Sequence, residues 1–339
     1  MVFFPPRNIQ LAPKVRCTYP IILRRFFCRF LLVFSCIVMS VPLYADEASL
    51  DAMGWLKAMR DARKHLDFHG TAALLRNNQV QMVAVSHCVT GGVERESMYS
   101  LDDPGQEVVR KAGHSSYFLP EAQRKLAGGK TPLPGGVGVL PDELAGYQRF
   151  YRFSLGSQER LIGRQAQEVI IEPVDEYRYG RRFWIDVDTR LPLKYQVFGN
   201  GQILEQLVFS ELTLDAAPKP SPATGPENTA HRPETLPLES LRWRLAQVPP
   251  GYQWVSYTRH HAPGRPPLEH LLLSDGLSAL SLYIETTDNV TRLKKQLHRF
   301  GAVNLYLRFI GAYQITVMGE APAAAVGLVG DNVRRVEQP

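Results

Sequence analysis

The chain has 339 residues, with 39 Lys and Arg against 33 Asp and Glu, a formal net charge of +6 and a pI near 9.1. Six basic residues, Arg7, Lys14, Arg16, Arg24, Arg25 and Arg29, lie within the first 45 positions, which hold no acid, so the rest balances at 33 against 33. Without a basic stripe outside that segment, nucleic-acid binding is not expected.

The basic N-terminal segment runs into the apolar stretch FLLVFSCIVMSVPLYA and ends on the small residue Ala45 before Asp46. That layout is read as a cleaved secretory signal peptide, residues 1–45; Phe30 to Val41 is too short for a helix spanning the bilayer. The pair Arg24-Arg25 lacks the downstream cofactor site that a twin-arginine signal serves, and bulky Phe34 spoils Cys36 as a lipidation site. Cys17, Cys28 and Cys36 leave with the leader, so Cys88 stays alone and no intramolecular disulfide is expected. The remaining 294 residues suffice for two cores.

Ala52, Trp55, Leu56, Met59, Ala62 and Leu66 recur at helical spacing, predicting a helix at the start of the mature chain. The period then changes. Nine short β-branched or aromatic runs follow: FHGTAALLR, VQMVAVSHCVT, QEVVRK, SSYFLP, RFYRFSL, QEVIIEP, RFWIDVD, LPLKYQVFG and ILEQLVFSEL. Together they predict a large, curved antiparallel sheet over residues 46–213. In FWIDVD, Phe183, Ile185 and Val187 face one way and Trp184 the other, so both faces carry apolar side chains. The Gly/Pro-rich segment between Lys111 and Tyr147 reads as a flap over the open side of the sheet.

Residues 214–237 contain six prolines from Pro218 to Pro237 and little apolar bulk, the composition of an extended linker. Beyond it, residues 238–339 predict a hairpin turning at Ser274-Asp275-Gly276 and an amphipathic helix using Val290, Leu293, Leu297 and Phe300. A second hairpin, VNLYLRF and YQITVMG, and a last helix after Pro322 complete a small α+β domain. The fold class is therefore α+β: a large antiparallel half-barrel with helices, plus a smaller C-terminal domain.

No catalytic constellation is found. GGKT at Gly128–Thr131 has Arg124 where a phosphate loop needs its first glycine, and GHSSY at Gly113–Tyr117 lacks the last glycine of a nucleophile elbow. His65 and His69 stand four apart, with His87 and Cys88 adjacent on a strand, but His69 falls beyond the helix end and the set fits no zinc spacing. His260-His261 lies in a turn, and Cys88 reads as a small core residue. Neither metal nor cofactor is expected. A curved sheet with apolar faces beside a second domain instead fits a binder of something apolar or amphiphilic.

The segment QERLIGRQAQEVIIEPVDEYRYGRRFWIDVDTRLPLKYQVFGNGQILEQLVFSEL, Gln158 to Leu212, resembles the RseB/MucB family of periplasmic regulators of an envelope-stress sigma factor. The resemblance continues in WLKAMRDARKHLDFHGT, RLAQVPPGYQ, LLLSDGLSALSLYIE and GAVNLYLRFIGAYQITVMGEAP, spanning both domains in order. It implies a half-barrel similar to lipoprotein carriers and a C-terminal domain implicated in binding. It also implies that the protein shields the periplasmic part of a transmembrane anti-sigma factor from site-one proteolysis. Displaced lipopolysaccharide or lipoprotein acyl chains would release the shield.

Candidate lipid-cavity or sheet-core residues are Met82, Phe183, Trp184, Ile185, Leu193 and Tyr195; candidate rim cations for phosphate or carboxylate are Arg178, Arg181 and Arg182. Candidate partner contacts are Tyr306, Arg308, Tyr313 and Gln314 on the C-terminal hairpin. A homo-oligomer is compatible with the sequence. The competing function is a lipid or lipoprotein carrier without a regulatory role, against which the second domain argues. The long leader and the glycine-rich loop from Gly128 to Gly138 depart from the family pattern.

Overall fold

A computed structural model describes residues 50–102, 107–111, 114–118, 140–141, 144–214, 234–262, 264–287 and 295–336. Helix α1 spans Ala52–Arg63; Asp51 caps it, its carboxylate accepting the Gly54 N–H at 2.7 Å. The predicted stripe turns Ala52, Trp55, Leu56 and Met59 inward.

A ten-stranded antiparallel sheet follows: β1 Phe68–Arg76, β2 Gln79–Thr90, β3 Val93–Ser100, β4 Glu107–Lys111, β5 His114–Phe118, β6 Tyr151–Leu161, β7 Arg164–Pro173, β8 Gly180–Asp186, β9 Pro192–Gly199 and β10 Gln202–Leu214. Their order is β5-β4-β3-β2-β1-β10-β9-β8-β7-β6. The last strand closes against the first at the centre, and the sheet stays open at its β5 and β6 edges. Two-residue turns with positive φ at both residues, Asn77-Asn78, Gly91-Gly92, Ile162-Gly163 and Asn200-Gly201, drive four of the hairpins, because that backbone twist matches the twist of the strands.

Strand β3 is the addition to the nine predicted. Glu94, Arg95 and Glu96 hide its strand character, yet Gly91-Gly92 folds it back on β2, and Glu96 is buried against Arg63 of α1.

The smaller domain is built on a seven-stranded antiparallel sheet in the order β11-β13-β14-β15-β18-β17-β16. The elements are β11 Glu234–Leu236, β12 Trp243–Leu245, β13 Gln253–Ala262, β14 Arg265–Ser274, β15 Ala279–Thr286, β16 Gln296–Phe300, β17 Val303–Ile310, β18 Tyr313–Gly319, helix α2 Ala323–Asn332 and β19 Val333–Arg335. Both predicted hairpins and the last helix form, and β12 pairs with β19. Val326 and Val329 of α2 join Leu271, Leu282, Ile315 and Val317 in one core.

The predicted helix ending at Phe300 is corrected. Gln296–Phe300 is edge strand β16, held in register on β17 by the turn at Gly301-Ala302, so Leu297 and Phe300 remain about half exposed. Tertiary pairing overrides helical periodicity there. Val290 and Leu293 lie outside the described residues, as does most of the glycine-rich segment read as a flap. Of the segment read as a linker, Leu214 ends β10 and Glu234–Leu236 pairs with β13. Among the described residues no helix is long and apolar enough to cross a membrane.

Candidate functional site

The inner face of the large sheet is filled. Phe183 and Tyr195 meet at 5.1 Å between ring centres, tilted by 34°, and with Ile185, Val197, Leu207 and Phe209 they share one buried cluster with Trp55, Leu56 and Met59 of α1. Leu277 and Ala302, from turns of the smaller domain, belong to the same cluster, so the second domain plugs into the first one's core.

The other three apolar candidates sit elsewhere. Trp184 faces outward with Ala166, and Lys194 caps its ring at 3.7 Å. Leu193 is the extra residue where the β8–β9 register slips between Trp184 and Ile185, which turns its side chain into the Trp184 cluster. Met82 is half-buried, out of phase with the inward-facing Val83 and Val85. Alternation within the strands, together with the slip at Leu193, splits the six between two faces.

Arg178, expected at a rim, is 2 % exposed and forms the centre of the seam between the domains. Its Nε donates to Asp275 Oδ2 at 2.5 Å, and its two terminal nitrogens donate to the Asp175 carboxylate and the Pro250 carbonyl. The guanidinium is enclosed by the rings of Phe150, Tyr252 and Tyr151 at 4.6, 5.0 and 5.7 Å. Asp275 is fully used: Oδ2 also accepts from the Tyr151 hydroxyl at 2.9 Å, while Oδ1 accepts the N–H groups of Leu277 and Ser278. Burial is the largest influence and opposes the charge on Arg178, but the hydrogen bond to Asp275 and the nearby Asp275 and Asp175 charges together outweigh it and hold the guanidinium above its ordinary pKa. Burial, then the Asp275 charge, pushes the Tyr151 and Tyr252 hydroxyls up, so both stay protonated.

The seam continues over β8, β9 and the turn between β1 and β2. Arg181 donates to Glu320 at 3.1 Å, and the Tyr195 hydroxyl reaches the same carboxylate oxygen at 3.3 Å. The Asn304 amide donates to the Tyr179 hydroxyl, and the Gly301 N–H to Asn77 Oδ1 at 2.7 Å. Gly276 is required by close approach: at φ +97°, an added Cβ would fall 1.7 Å from Tyr147 Oη. Arg181 is thus also a seam residue, whereas Arg182 stays on the outer face over the Phe198 ring at 4.7 Å, 3.9 Å from Glu168.

On the C-terminal hairpin, Tyr306 is a core residue, 6 % exposed, whose hydroxyl donates to Asp331 at 2.5 Å. Arg308 donates to the Val333 carbonyl at 2.8 Å, and Tyr313 packs edge-on against Trp243 beneath Arg335. Gln314, on the opposite face, donates to Glu285. His65 follows α1, His69 lies on β1 and His87 on β2, and among the described residues no group of three or more His, Cys, Asp or Glu could hold a metal. An open cleft of about 340 Å³ lies beside the seam, lined by Asp51, Ala52, Met53, Gln148, Tyr151, Arg152 and Phe153.

Fold and site together define a two-domain protein in which a curved open sheet is coupled, through a buried polar seam, to a second sheet. Residues 51–232 match the MucB/RseB N-terminal domain and residues 237–334 the MucB/RseB C-terminal domain. The chain belongs to the MucB/RseB family. It is 30 % identical to the sigma factor AlgU regulatory protein MucB of Pseudomonas aeruginosa, over 88 % of this chain and 94 % of that one. It is 24 % identical to the sigma-E factor regulatory protein RseB of Salmonella typhimurium, over 89 % and 96 %. The crystal structure of MucB in complex with MucA(peri) superposes with a TM-score of 0.63 at 25 % identity, covering 85 % of this chain and all of that one.

Proposed function

We propose that this protein is a periplasmic regulator, not an enzyme. It is exported with loss of residues 1–45, binds the periplasmic part of a transmembrane anti-sigma factor, shields that segment from site-one proteolysis and releases it when lipopolysaccharide or lipoprotein acyl chains bind. The observation that carries this reading is the match across both domains to MucB, a protein crystallised with MucA(peri).

The packing supports a physical route for the coupling. The inner face that acyl chains would use already holds Phe183, Ile185, Tyr195 and helix α1, closed on one side by Leu277 and Ala302 of the second domain. A lipid entering there has to displace one of these, and displacing the turns separates the domains. A partner segment held by the domain-closed form and a lipid favouring the parted form then oppose each other by one shared free energy, whichever binds first.

A protection assay tests the shield. The anti-sigma periplasmic segment is exposed to its site-one protease with and without this chain. Cleavage should slow in proportion to the bound fraction and recover when lipopolysaccharide is added. Cleavage at the same rate with saturating chain would end the regulatory reading.

A further inference from the structure

Two carboxylates lie at the seam on opposite domains, near enough for the charge of Glu320 to act on Glu205, and their surroundings are unequal. Glu205 of β10 is 2 % exposed and, among the described residues, has one ionic partner, Arg76 of β1, whose Nε donates at 2.9 Å while its buried Nη2 has no hydrogen-bond partner among them. Arg76 in turn lies under a turn of the smaller domain: a Cβ on Gly301 would fall 2.6 Å from Arg76 Cγ, and the neighbouring Asn77 accepts the Gly301 N–H. From the same domain, Glu320, on the loop between β18 and α2, reaches Arg181 of β8 and the Tyr195 hydroxyl of β9. Tyr179, with Asn304 hydrogen-bonded to it and Arg299 of β16 nearby, completes the charged and polar surround.

We propose that Glu205 and Glu320 form a proton-linked catch between the two domains, so that acidification holds the smaller domain against the half-barrel and rising pH loosens it. An ionised Glu205 beside an ionised Glu320 puts two negative charges in a dry seam, with Arg76 committed to one and Arg181 to the other. Parting the domains separates the two carboxylates and returns Glu205 to water. A proton on Glu205 removes both reasons to part.

Burial first, and the Glu320 charge after it, raise Glu205 from 4.5 to about 7, against the opposing pull of Arg76. The sign follows. With its pKa raised in the closed form, Glu205 binds more protons there than in the parted form. Its contribution to closure is complete below about 4.5 and is lost as pH rises through about 7. The catch involves this chain alone, so it holds or fails whether or not the chain binds an anti-sigma factor.

Amide hydrogen exchange on the full chain reads seam opening even when it is rare. Protection of the Gly301 amide, held across the seam by Asn77 and corrected for intrinsic exchange, should fall on the order of tenfold between pH 5.5 and 8.5. The Val169 amide, deep in the sheet, serves as the reference. Glu205→Gln, which imitates the protonated state, should give high and pH-independent protection at Gly301. Glu320→Gln should move the midpoint to lower pH by removing the neighbouring charge, and it remains informative if the first variant folds poorly. Constant protection at Gly301 in the unmodified chain, or an undiminished pH response in Glu205→Gln, would overturn the proposal.

Discussion

Asp275, in the turn after β14 of the smaller domain, accepts a 2.5 Å hydrogen bond from Arg178, in the loop between β7 and β8 of the larger one, and neither side chain has any exposure to solvent. An ion pair in that position is costly to assemble and costlier to break. The arrangement is tolerated because every oxygen of Asp275 has a donor, and the Arg178 guanidinium is hydrogen-bonded and ringed by aromatic faces.

Asp275→Ala leaves Arg178 Nε and the Tyr151 hydroxyl buried without their acceptor, with Asp175 the carboxylate that still pairs Arg178, and should cost about 3–5 kcal/mol in denaturant unfolding. Replacing both partners with apolar residues, Arg178→Met with Asp275→Leu, should recover much of that loss while weakening the link between the domains. Recovery of stability without loss of domain coupling, read by hydrogen exchange at Gly301, whose N–H is held across the seam by Asn77, would show that the pair does not hold the seam.

Gly276→Ala should destabilise by more than about 1 kcal/mol, since φ +97° is strained for alanine and the new methyl meets the Tyr147 ring as well as its hydroxyl. Tyr147→Phe should not rescue it, because Cζ would still lie 2.5 Å from the added Cβ. Thermal unfolding of the single and double variants distinguishes backbone strain plus ring clash from a clash with the hydroxyl alone.

His87 supplies a pH response opposite in sign to that of Glu205. It stacks on Phe68 at 4.9 Å, and burial first, then the Arg63 charge, lowers its pKa below 6.5. The fold therefore keeps it neutral, while the unfolded chain takes up a proton as pH falls below 6.5. Its contribution is present above pH 6.5 and is lost as pH falls toward and through the folded pKa. His87→Gln should flatten the acid side of the stability profile by urea unfolding between pH 5 and 7, leaving the alkaline side unchanged.

Much of the architecture was legible because it rests on local periodicity. The α1 stripe, the hairpin at Ser274-Asp275-Gly276 and the helix after Pro322 each announce themselves within a dozen residues. β3 was hidden because its stabilising feature, Glu96 against Arg63, joins residues 33 apart and looks like surface charge in one dimension. The β16 misreading has the same origin: Leu297 and Phe300 fit a helical face, and only pairing with β17 makes them a strand.

The seam was illegible for a stronger reason. Arg178 and Asp275 are separated by 97 positions, and nothing in RYGRRFWIDVD tells an arginine that meets a buried carboxylate from one at a rim. Tyr306 gave no warning that its face is covered by α2 at Gly330, because the strand's alternation fixes parity but not which side the helix takes.

The most direct measurement of the central claim is calorimetric titration of the chain with the periplasmic segment of its own anti-sigma factor, alone and with lipopolysaccharide present. The account predicts binding that lipid weakens, and lipid binding that the segment weakens by the same factor. Binding of both ligands with no mutual effect, or lipid binding with none of the anti-sigma segment, would contradict it.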